Sequence, residues 1–259
     1  MPLESLPRDA GLDTHKALGL TPGAQRDTLL TRQSVFQMPT STPVATPDTE
    51  PARKRRKEAR PQELLDAALQ VFVEKGFAAT KMEDVANLAS VSKGTVYLYF
   101  PSKEELLKAV IRHNLSLTIA QGGDLVAQFP GSTRELLHLL AMTWWERVGE
   151  TQASGIFKLI ITEVRNFPEF AEFYAAEVIE PGRQLLRALL QRGIARGEFR
   201  AVPLDDTAHA LIFPMLMLCL HKHSVGACSG DVATQNPRAF IQNHIDLMLH
   251  GLCCEPSQH

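Results

Sequence analysis

Long apolar runs are missing from this chain. The best candidate, ALIFPMLMLCL from Ala210 to Leu220, is well short of the roughly 20 residues that a bilayer-spanning helix needs, and it contains Pro214. The N-terminal stretch is interrupted by Arg8, Asp9 and Asp13 where a signal peptide would be apolar. No membrane partner is therefore expected, and the expected compartment is the cytoplasm. Cysteine is scarce too. Cys219, Cys228, Cys253 and Cys254 all fall in the last fifth of the chain without the spacing of a disulfide framework. Free thiols are the simplest reading. The run Cys219, His221, His223, Cys228 matches no common zinc spacing, so no metal is expected.

Signatures of catalysis are equally absent. There is no glycine-rich phosphate loop, no HExxH and no GxSxG. His113, His138, His209 and His244 stand alone on helical patterns, where packing or solvent is the usual role. Neither an enzyme nor a cofactor is expected. Sustained period-two runs of β-branched residues and hairpin signals are missing as well, while apolar residues at helical spacing recur from residue 61 onward. The fold class is all-α.

Net charge is small, at −2, but unevenly distributed. Residues 1–52 carry 4 basic and 6 acidic groups, residues 53–112 carry 12 and 8, and residues 113–259 carry 11 and 15. The positive potential is thus concentrated in one segment of 60 residues. Nucleic-acid binding needs a local basic footprint of this kind, not a basic protein.

That segment holds the most specific pattern in the chain, TKMEDVANLASVSKGTVYLYFPSK from Thr80 to Lys103. Thr80 and Glu83 have the spacing of a capping box for a helix whose apolar face is Met82, Val85, Ala86 and Ala89. Ser90 and Val91 form a turn. Ser92 is placed to cap a second short helix through Tyr97, which Pro101 stops, and Ser102 with Glu105 opens a third. Two short helices about a tight turn form the unit that sets a recognition helix in a DNA major groove.

From RPQELLDAALQVFVEKGFAATKMEDVA through VSKGTVYLYFPSKEELL, the chain resembles the TetR family of bacterial transcriptional repressors. The shared features include the Gly76-Phe77 step, the Ser-Lys-Gly-Thr start of the recognition helix and its Tyr-x-Tyr-Phe ending. By motif position the resemblance implies that Thr80 and Lys81 meet phosphate and that Ser92, Lys93, Gly94 and Thr95 enter the groove. Tyr97, Tyr99 and Lys103 would contact phosphates. Leu98 stands where the family often has a polar residue, so any contact from it would be apolar. Val96 and Phe100 are expected in the core. The resemblance also implies a double-stranded DNA operator, a homodimer paired through the last two helices, and a small-molecule effector that relieves repression. A helical protein-interaction scaffold is the alternative reading. It would explain the body of the chain but not the charge division or VSKGTVYLYF.

The remaining organisation follows from composition. Residues 1–52, rich in Pro, Ser and Thr, read as a disordered tail, with Met38 as a conceivable internal start. RKRRKEAR at 53–60 reads as a basic arm in which Arg53, Arg55 and Arg56 track phosphates or a minor groove. Helix one is expected from Pro61 to Lys75 and the helix-turn-helix domain over 61–112. A helical ligand-binding and dimerisation domain follows over 113–252, and a tail over 253–259. Asp205 or Asp206 would cap the helix through Leu220, and Pro237 would start the last one. Met142, Trp145, Phe157, Phe173, Phe213 and Met217 are the candidates for an apolar effector pocket, since aromatic and Met side chains suit an adaptable cavity.

Overall fold

A computed structural model describes residues 50–227 and 235–253, with side chains described from residue 61 onward. Of the tail expected over residues 1–52, residues 1–49 lie outside the described residues, as do Cys228 and residues 254–259, while residues 50–52 are helical. The side chains of Arg53, Arg55 and Arg56 also lie outside the described residues.

The described residues are all-helical, as the sequence pattern implies, apart from one isolated antiparallel bridge between Phe199 and Cys253. Helix α1 runs Glu50–Lys75, so the basic run is its first part, not an arm ahead of a helix at Pro61. Glu, Ala, Arg and Lys are strong helix formers, and they carry the helix through Pro61 even though that residue lacks an N–H for the carbonyl four residues back. Gly76, at φ +79°, stops α1 in the left-handed conformation that glycine adopts without strain. Three short helices follow: α2 Met82–Leu88, α3 Lys93–Tyr99 and α4 Lys103–Ile111. Leu64, Ala68 and Phe72 from α1 pack with Val85, Val96, Leu106 and Val110, all fully or almost fully buried.

The helical run that opens with α4 crosses the domain boundary expected near residue 112. It passes through a π-helical turn, Arg112–Ser116, directly into α5, Leu117–Gln128. One rod therefore begins in the helix-turn-helix and continues into the body. Helix α6, Thr133–Trp144, starts at the Ser132–Glu135 capping box, with Ser132 Oγ accepting from Glu135 N at 3.2 Å and Ser132 N donating to Glu135 Oε2 at 2.9 Å. It runs into a second π turn, Trp145–Gly149, and α7 covers Gly155–Glu163. Helix α8, Pro168–Tyr174, enters a third π turn, Ala175–Ile179, and then α9, Glu180–Ala195. This third π turn lies just before Pro181 and Gly182. Pro181, the second residue of α9, lacks the N–H that a helix continuing from the π turn would use.

Helix α10, Leu204–Lys222, has Pro203 at its cap, and neither Asp205 nor Asp206 caps it. Asp205 instead receives Arg183 at 2.8 Å and Arg187 at 2.5 Å, tying α10 to α9. Helix α11, Pro237–Leu252, is capped by Asn236, whose Oδ1 accepts from Ala239 N at 3.1 Å. It packs on α6 and α10. Helix α1 touches α2 and α4 on one side and α7 on the other, so the described helices share one continuous apolar core.

Candidate nucleic-acid interface and cavity

The turn between α2 and α3 is closed by backbone bonds. Ala89 N donates to Val85 O and Val91 N to Ala86 O, both at 2.9 Å. Ser90 takes φ +53°, a left-handed conformation unusual for a residue with a side chain. Ser92 then caps α3, its Oγ accepting from Thr95 N at 3.1 Å and sharing a 2.8 Å contact with Thr95 Oγ1. Val96 is the inward anchor of α3. Phe100 and Tyr99 pack half-buried against the core. The outer face presents Ser92, Lys93, Gly94, Tyr97 and Leu98, the last 80% exposed. This is a polar, cationic and aromatic surface with an apolar tip. Lys93 is ion-paired with Glu83 of α2, which raises the ammonium's pKa and lowers the carboxylate's, so both stay charged.

Two residues expected at phosphates are placed otherwise. Thr80 is buried, and its hydroxyl donates inward to Gly76 O at 2.6 Å and Val71 O at 3.5 Å. The cap of α2 is displaced by one residue: Lys81 stands at the cap, and its backbone N–H donates to Asp84 Oδ2 at 3.0 Å. Glu83, the expected partner of Thr80, is engaged by Lys93 instead. Lys103 is likewise turned inward. Its Nζ donates to Phe77 O at 2.8 Å, Ala78 O at 3.2 Å and Thr80 O at 3.0 Å, and it lies 4.4 Å from the centre of the Phe77 ring. It ties the start of α4 to the α1–α2 loop. The hydroxyl of Thr80 and the ammonium of Lys103 are thus occupied within the protein, while Lys81 and the outer face of α3 remain open to solvent.

In the body, α5, α6, α7, α9 and α10 surround a cavity of about 640 Å³ with an almost wholly apolar lining. Gly122 makes room for it and for α9, because a Cβ there would come within 2.9 Å of Leu185 Cδ2. Of the six expected pocket residues, Phe157 and Phe213 line the cavity. Trp145 does not; its neighbour Trp144 does. The π turn that begins at Trp145 sends that indole into the core over Gly149, where a Cβ would lie 2.0 Å from the ring. Phe173 faces Arg112, whose guanidinium sits 4.9 Å above its ring. Met217 is 62% exposed on the outer side of α10, and Met142 packs half-buried on another face of α6. Sequence reading missed the aliphatic walls, among them Leu115, Ile119, Leu140 and Ile212, together with Arg147.

A helix-turn-helix whose second helix offers an exposed polar face, set on an all-helical body, defines a DNA-binding transcriptional regulator. Residues 64–110 match the family described as "Bacterial regulatory proteins, tetR family", and residues 130–227 match "Tetracyclin repressor-like, C-terminal domain". The chain is 33% identical over 155 residues to the HTH-type transcriptional regulator YfiR of Bacillus subtilis, covering 58% of this chain and 72% of that protein. It is 30% identical over 147 residues to the HTH-type transcriptional repressor KstR2 of Rhodococcus jostii, covering 56% and 70%. Among solved structures, a TetR-family regulator from Mesorhizobium loti superposes with a TM-score of 0.61 at 19% identity, over 77% of this chain and 99% of that one. The chain belongs to the TetR family and is a transcriptional regulator, not an enzyme. Among the described residues, no helix is long and apolar enough to cross a membrane.

Proposed function

We propose that the protein is a homodimeric repressor that leaves a palindromic operator when a small, largely apolar effector fills the cavity. The observation that carries this reading is the α4–α5 rod. Its first half holds the helix-turn-helix through Leu106, Leu107 and Val110, and its second half lines the cavity through Leu115, Ile119, Gly122 and Leu125. A ligand that displaces α5 has to move α4 with it, or bend the rod at the π turn between them. Such turns are local irregularities frequently found at functional sites.

The DNA contact set proposed is Lys81, Ser92, Lys93, Gly94, Thr95, Tyr97, Tyr99 and Leu98, with Arg53, Arg55 and Arg56 along the first turns of α1. Gly94 is exposed and gives the backbone close approach, Thr95 and Leu98 can meet base edges or a thymine methyl, and the tyrosine hydroxyls and cations take phosphates. Dimerisation is supported by exposed apolar side chains on two neighbouring helices. Phe213 and Met217 on α10 and Phe240 and Leu247 on α11 are exposed on two helices that touch each other. Two copies so paired carry two recognition helices, as a palindromic site requires. Repression is supported by the Rhodococcus relative, which is a transcriptional repressor.

The effector must prefer the conformation that binds DNA poorly, and a coupling of about 1–3 kcal/mol weakens operator binding roughly 5–150-fold. Fluorescence anisotropy on the DNA upstream of the protein's own gene, alongside sedimentation equilibrium, tests the reading. A dimer with salt-dependent, sequence-selective binding is expected. A monomer, or equal affinity for unrelated DNA, would contradict it.

A further inference from the structure

The cavity is apolar but not featureless in charge, and its few polar groups discriminate among effector classes. Among the described residues no aspartate or glutamate lines it, while two arginines do. Arg183 is already neutralised, by Glu180 at 2.6 Å and Asp205 at 2.8 Å. Arg147 has no carboxylate partner among the described residues; its guanidinium is held by the side-chain oxygen of Gln121 across the cavity's edge. The two acidic residues nearest it in sequence are drawn away: Glu146 and Glu150 both bind Arg238, at 3.0 Å and 2.6 Å. Arg147 is thus an oriented cation without a counter-ion, at the solvent side of an apolar chamber. Inside, the Tyr174 hydroxyl lines the same space and makes no hydrogen bond to a described residue, so it is available to an oxygen of whatever enters. Guanidinium groups with free donors recognise carboxylate and phosphate oxygens through paired hydrogen bonds.

Building on the effector reading above, we propose that the effector is an anionic amphiphile. Its apolar body fills the cavity, and its carboxylate or phosphate head docks on Arg147 as positioned by Gln121. A cationic amphiphile would meet Arg147 with no carboxylate to offset the repulsion, and a neutral one would leave that site unused.

Four probes with the same ten-carbon chain separate these possibilities on the full-length dimer at submicellar concentration: decanoate, decyl phosphate, decanol and decylammonium, titrated by calorimetry. Because Arg147 is partly solvated, the expected preference of the anions over decanol is modest, about 3- to 10-fold, with decylammonium the weakest. Arg147→Gln should bring both anions down to the affinity of decanol while leaving decanol unchanged, which also reports an intact cavity. A difference between decanoate and decyl phosphate would then name the head group. Equal binding of all four probes, or an undiminished anion preference in R147Q, overturns the inference on the head group alone. Binding of none of the four overturns the apolar-effector reading with it.

Discussion

Replacing Lys103 by methionine keeps the unbranched stem over the Phe77 ring and deletes only the ammonium. Three carbonyl oxygens, those of Phe77, Ala78 and Thr80, then lose their donor. Hydrogen bonds to a charged group contribute about 1.5–3 kcal/mol each in favourable settings, but these three share one partly exposed donor and water can replace some of them. A net loss of about 2–3 kcal/mol, including the cation–π contact, is the reasonable magnitude. For a protein of this size that lowers the melting temperature by about 4–12 °C. Differential scanning calorimetry on the wild type and K103M measures it. The same pair, titrated with operator DNA across a salt series, should show equal slopes of log affinity against log salt. If Lys103 instead neutralises phosphate, the result inverts: the melting temperature stays put and the slope falls by about 0.9 per lost contact. That outcome would refute the internal role.

Several other perturbations have definite outcomes. Tyr97→Phe, which keeps the half-exposed ring and removes its hydroxyl, should weaken operator binding by about 0.5–1.5 kcal/mol without changing stability; anisotropy and thermal melting together check both halves. Neutralising Arg53, Arg55 and Arg56 together should flatten the salt dependence by up to about 0.9 per arginine in each subunit while leaving sequence preference intact. Phe213→Glu with Met217→Glu should shift sedimentation toward monomer and abolish operator binding. His223 gives a pH signature. Burial, with Lys222 and Lys158 nearby, holds its pKa below the ordinary 6.5, and its Nε2 lies 2.8 Å from Ser154 Oγ. The unfolded chain therefore takes up this proton first as pH falls, so stability drops between about pH 6.5 and the lower folded-state pKa. His223→Gln should remove that part of the acid sensitivity in urea melts taken at pH 7.5 and 5.5.

The sequence made the helix-turn-helix legible because short-range chemistry determines it. Ser92, Ser102 and Ser132 each cap the helix that begins at the next residue, accepting the N–H three residues on, and Gly76 stops α1 where it must. Near Thr80 the same rule had two solutions. Either Thr80 with Glu83 or position 81 with Asp84 fits the spacing, and the choice is made by burial of the Thr80 side chain under α1. Motif position alone places Lys103 at a phosphate. Its three carbonyl partners lie 23–26 residues away in the chain and are invisible without the fold. The cavity was the least legible part. Trp144 and Trp145 differ by one position, and a π turn exchanges which of them faces the ligand space. Aliphatic wall residues such as Ile119 and Leu140 look the same in sequence whether they face a cavity or a packed core.

The central claim, that cavity and DNA surface are coupled through the α4–α5 rod, is tested most directly by one comparison. Decanoate is titrated by calorimetry into the free dimer and into the dimer saturated with operator. Linkage requires the loss of decanoate affinity on the operator to equal the loss of operator affinity caused by decanoate, about 5-fold or more. Equal affinity for the free and the operator-bound protein would contradict the account.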